Sequence, residues 1–158
     1  MLRRKTAILK LAIAIIGITA LILCIFWLPG FATNRAALNP DYAYLIYPVL
    51  IVVYTTAIPF YIALYHALKL LYYIDQKNAF SEFAVESLKH IKHCAATITI
   101  LYLIGFAFLG FQLVLHTSIA IVGVVIIIAA STVAIFAAVL QELLTHALEI
   151  KSENDLTV

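Results

Sequence analysis

The chain has 158 residues, 65% of them hydrophobic and only 11% charged, with a mean hydropathy of +1.09. Ordinary globular domains are ~45–50% apolar, so this balance excludes a soluble domain as the body of the protein. A formal net charge of +2 is too small to imply direct nucleic-acid binding.

The apolar residues fall into four runs, about 11–28, 42–68, 94–115 and 119–140. Each is close to or above the ~18–20 residues that carry a helix across ~30 Å of hydrocarbon. Inside lipid the backbone must satisfy its own hydrogen bonds, so such runs are helices. The expected fold is all-α: a polytopic, single-domain membrane protein over 1–158. It has four transmembrane helices and a short amphipathic cytoplasmic helix within the 69–93 segment.

The first run follows Arg3, Arg4, Lys5 and Lys10 and contains the small residues Ala12, Ala14, Gly17 and Ala20, which let a neighbouring helix approach closely. A basic start followed by an apolar stretch also suits a secretory signal, but a signal core is usually ~7–15 residues. The length favours a retained span. It ends at Trp27, Pro29 and Gly30, an interfacial aromatic followed by helix breakers. The outer loop is short, with a turn signal at Asn39-Pro40. Cys24 and Cys94 are expected at opposite ends of their spans, too far apart for a disulfide.

The second run holds most of the tyrosine. Eight of nine tyrosines lie between Tyr42 and Tyr73. At helical spacing, Tyr47, Tyr54, Tyr61, Tyr65 and Tyr72 project onto a face about 40° wide. Two readings compete. A buried seam would pair each hydroxyl with a backbone carbonyl, and tyrosine suits that role. Alternatively, the hydroxyls would line a pocket, with Thr55 and Thr56 nearby. Tyr42, Tyr44, Tyr72 and Tyr73 also fit an interfacial aromatic belt. Pro48 and Pro59 are each expected to remove a backbone donor and favour a kink.

Between the second and third runs lies the one substantial polar segment. Ser81 is placed to cap a helix, with Glu82 near the positive end of its dipole. On a helical wheel Phe80, Phe83, Ala84, Leu88 and Ile91 share one side, while Glu82, Glu86, Lys89 and His93 share the other. The apolar side is expected against lipid or bundle, and the polar side is the candidate partner surface. The helix is expected to run on into the third span. Gly105 and Gly110 in the third run, and Ala130, Ala134 and Ala138 in the fourth, suit close helix contacts within one copy or between copies of a homo-oligomer.

Lysine and arginine set the orientation. Lys69, Lys77, Lys89 and Lys92 follow the second run and Lys151 follows the fourth. Arg35 alone lies on the other side, and the turn near His116 has neither. By the positive-inside rule, both termini and the 69–93 segment are cytoplasmic in a multi-pass cell-membrane protein.

No run carries an acidic or basic residue away from its ends, which counts against an ion or proton pump. Four of five histidines, His66, His90, His93 and His146, lie toward the inner side. Glu86 precedes His90 by one turn, and Glu142, His146 and Glu149 form a second patch. Such groups can hold a transition metal when helices bring them together. Pairing on a helix surface is the plainer expectation, and no metal or other cofactor is expected. Nucleophile elbows, Walker loops, dinucleotide fingerprints, HExxH and CxxC are absent, so no catalytic residue is assigned and an enzyme is not expected.

Four stretches carry a family resemblance. They are the end of the first run, CIFWLP, then YLIYPVLIVVYTTAIPFYIALYHALKLLYYID, NAFSEFAVESLKHIKHC, and the ending IFAAVLQELLTHALEIKSENDLTV. Together they resemble the YoaS-like family of small bacterial membrane proteins, a catalogued domain of unknown function. The resemblance covers nearly the whole chain. It implies a four-span protein of Gram-positive bacteria whose gene neighbours one for a small helix-turn-helix regulator. The expected function is thus a non-enzymatic membrane protein engaging such a regulator at the inner face. The alternative is a small transport, stress or immunity protein with a Tyr-lined pocket.

Overall fold

The computed structural model describes residues 2–27, 29–30, 33–34, 37, 46–77, 79–111 and 117–156. Tyr42, Tyr44, Arg35, the Asn39-Pro40 turn and His116 lie outside them. Among the described residues there is no strand, and four helices are long and apolar enough to cross a membrane. They are α1 (Leu2–Ile22), continued by a wider π-helical turn over Leu23–Trp27, then α2 (Ile46–Asp75), α3 (Glu82–Phe111) and α4 (Thr117–Leu156).

The π turn leaves one carbonyl to be satisfied from outside. In i→i+5 geometry the donor facing the Cys24 carbonyl is residue 29, and Pro29 has no N–H. The Tyr54 hydroxyl of α2 donates to that carbonyl at 2.8 Å. Two turns deeper, the Tyr61 hydroxyl donates to the Gly17 carbonyl, also at 2.8 Å. Gly17 is where the helices come close, since a Cβ there would stand 3.3 Å from Leu64 Cδ1.

The two prolines of α2 behave differently. Pro48 lies in the first turn, where backbone N–H groups have no helical partner anyway, so it breaks nothing. Pro59 lies inside a helix that runs on past it. Lys77 then ends the connection from α2 in left-handed backbone, with φ of 62°.

Ser81 caps α3 as its sequence position suggests. Its hydroxyl accepts from the Ala84 N–H at 3.3 Å, and Glu82 occupies the first turn. The amphipathic segment does not stand apart as a separate element. It forms the first turns of α3 and runs on into the apolar part.

Helix packing is sequential. α1 packs on α2, α2 on α3, and α3 most extensively on α4, while no other pair of these helices makes more than marginal contact among the described residues. At the α3–α4 seam Gly123 lies under the Phe106 ring. Small residues are among the buried ones: Ala84, Ser87 and Ala95 on α3 and Ala137 on α4. Ala130, Ala134 and Ala138 are only half-buried. Most large apolar side chains remain exposed on the outside of the open bundle, as expected where lipid is the solvent.

Candidate functional site

Polar groups gather at the end of the bundle that holds the α2–α3 connection. There α1 is tied to α2 by Asp75, whose carboxylate accepts from the Lys10 ammonium and the Thr6 hydroxyl. Asp75 stands beyond the apolar run that ends at Leu68, and the hydrogen bonds from Lys10 and Thr6 hold its carboxyl below the usual carboxylate range.

Between α2 and α3 the chain leaves a partly open cavity of about 80 Å³. Two aromatic pairs flank it. His66 of α2 stacks on His90 of α3 with ring centroids 4.4 Å apart and planes 14° from parallel. Tyr73 of α2 stacks on Phe83 of α3 at 5.7 Å and 28°. Lys69, Glu86 and the buried Ser87 complete the lining. Glu86 Oε1 is 3.8 Å from His90 Nε2. Lys69 Nζ also lies 5.9 Å from the centre of the Tyr65 ring. His66 Nδ1 is buried without a hydrogen-bond partner, and an orphaned buried polar atom costs about 1–3 kcal/mol.

A second, larger depression of about 330 Å³ lies between the first turns of α3 and the last turns of α4. Val85 and Leu148 supply apolar lining, Thr145 and Ser152 hydroxyls, and Glu82 and Glu149 carboxylates.

These groups do not amount to a metal centre. Among the described residues no group of three His, Cys, Asp or Glu side chains comes together in a way that would hold a metal ion. The near-parallel stack of His66 and His90 explains part of this. Imidazole lone pairs lie in the ring plane, so stacked rings do not aim at one point between them. On α4, His146 pairs with Glu149 at 3.7 Å, rather than with Glu142.

Comparison with known proteins places the chain. A protein of Bacillus subtilis (strain 168), described as uncharacterized membrane protein YoaS, is 51% identical over 158 residues, covering 99% of each chain. The family described as a protein of unknown function, DUF2975, matches residues 30–158. The chain belongs to this family. No solved structure matches it. As a DUF2975 member with four candidate spans, the chain is a membrane protein.

On this DUF2975 fold, Glu82, Glu86, Lys89 and His93 are all exposed on the first turns of α3. The opposite side divides. Ala84 and Leu88 are buried and Ile91 is half-buried, while Phe80 and Phe83 remain exposed. The tyrosine face divides as well. Tyr54 and Tyr61 reach carbonyls of the π turn and of α1, whereas Tyr47 and Tyr65 are 71% and 60% exposed. The His66–His90 contact and the Asp75 tie were not singled out in the sequence. Asp75 and Lys10 do carry opposite charges beyond the same-side ends of two adjacent runs, but Lys10 directly precedes its run and Asp75 lies well past Leu68, so run boundaries alone did not give the register of the tie.

Proposed function

We propose that this protein is a non-enzymatic cell-membrane protein whose cytoplasmic face engages a small cytosolic helix-turn-helix regulator. The observation that carries this reading is the overhang of α3 and α4. Helices of 30 and 40 residues are about 45 and 60 Å long at 1.5 Å per residue, against ~30 Å of hydrocarbon. The surplus includes the turns bearing Glu82, Glu86, Lys89 and His93, beside the Gln141–Leu156 end of α4. It offers a soluble protein a charged surface with an apolar depression lined by Val85 and Leu148. The lysine bias supports a cytoplasmic location for this end, and the gene neighbourhood that the family resemblance implies is the ground for a helix-turn-helix partner.

The test is affinity capture of the intact protein from native membranes, with identification of what accompanies it. The wild-type chain should bring down a helix-turn-helix protein. A Glu82→Lys, Lys89→Glu double variant should bring down less, with the loss depending on salt, because rim charges act mainly on encounter rate. Neither residue lines the His66–His90 cavity, and circular dichroism of the variant establishes that replacing Glu82 in the first turn leaves α3 folded. Unchanged capture by the double variant at low and moderate salt removes the α3 face from the mechanism. The absence of any such regulator from wild-type captures sinks the reading.

A further inference from the structure

We propose that the cavity between α2 and α3 holds the phosphoethanolamine headgroup of a membrane lipid. Its depth fits. Lys69 directly follows the apolar run that ends at Leu68, so the cavity lies where hydrocarbon gives way to headgroups. Its composition fits as well. Lys69 and Glu86 place one positive and one negative charge on the same small cavity, matching a ligand that carries one of each. The Lys69 ammonium donates to the phosphate, and the Glu86 carboxylate accepts from the lipid ammonium.

Charge and size select among lipids. A purely anionic headgroup would satisfy Lys69 but meet repulsion from Glu86. A trimethylammonium group has no N–H to offer Glu86 and is bulky for a cavity of about 80 Å³. Entry is open, since the Glu86 and His90 side chains are 68% and 47% exposed. A path for an acyl chain leads away from the cavity along α2. Ile58, Ile62 and Tyr65 are 64%, 44% and 60% exposed. They precede Lys69 at i, i+4 and i+7, one side of a helix.

The full chain, purified in mild detergent, is exchanged with mixed vesicles holding equal parts of phosphatidylethanolamine, phosphatidylglycerol and phosphatidylcholine. Retained lipids are then counted by native mass spectrometry. Phosphatidylethanolamine should be retained over the other two. Lys69→Ala and Glu86→Gln should each reduce that preference about tenfold, the loss expected of a charge-assisted hydrogen bond. Lys69→Arg and the distant Lys92→Ala should keep it. Circular dichroism establishes that each variant is folded. If a variant fails to fold, wild-type selectivity still decides. Equal retention of the three lipids, or a preference that survives both substitutions, overturns the proposal. Binding of free phosphoethanolamine without any preference among the lipids also overturns it and assigns the cavity to a soluble ligand.

Discussion

Gly123 shows how much one side chain decides at the α3–α4 seam. A Cβ at this position would overlap the Phe106 ring, whereas one at Gly105 would meet Val52 Cγ1 at an ordinary 3.7 Å. Ring carbons cannot give way as a flexible methyl does, so Phe106 must leave its rotamer or the helices must part. Gly123→Ala should therefore lower stability by about 1–3 kcal/mol, in the range of overpacking. Gly105→Ala should be close to neutral. Thermal unfolding of both variants in the same detergent checks the difference. Equal behaviour would mean that α3 and α4 do not meet at Phe106. In the sequence Gly123 is merely one glycine in an apolar run, because the neighbour that makes it necessary arrives from another helix.

At the scale of elements, α1 is the most lightly packed of the four. Among the described residues it packs on α2, with two tyrosine hydroxyls and the Lys10–Asp75–Thr6 cluster as its polar anchors. The lowered folded pKa of Asp75 fixes the sign of the pH response. The ionised tie contributes fully above the unfolded carboxylate value of about 3.9 and is lost as pH falls through the lower folded value. Spin labels at Ile8 and Tyr72, both exposed, should show a narrow distance distribution near neutrality. It should broaden in strong acid, and in Asp75→Asn already at neutral pH. An unchanged distribution in the variant would show that the tie does not hold α1. Much at this scale was legible. The four apolar runs mark the helices, and Ser81 with Glu82 marks the start of α3. The stacked histidines were not legible, because helical spacing orders groups along one element and leaves the rotation of its neighbour undetermined. The π turn was hidden for a similar reason, since Pro29 signals a break while its remedy, Tyr54, lies on α2.

At the scale of the molecule, the lysine distribution predicts an orientation that labelling can check. Single cysteines replacing Lys5, Lys77 and Lys151 should be shielded from an impermeant thiol reagent in intact cells, and one replacing Arg35 should react. Labelling at Lys77 from outside would invert the arrangement and place the polar ends of α3 and α4 beyond the reach of a cytosolic partner. The neighbour-to-neighbour packing has a further consequence, for how the protein is made. Each helix finds its packing surface on the one synthesised just before it, so every interface is complete once the later helix of the pair enters the bilayer. Among the described residues no substantial contact between the first and last spans has to wait for the end of translation. Chains dominated by contacts between sequence neighbours meet little loop-closure entropy. Assembly can then follow the ribosome in order, with α1 and α2 docked before α4 has been synthesised.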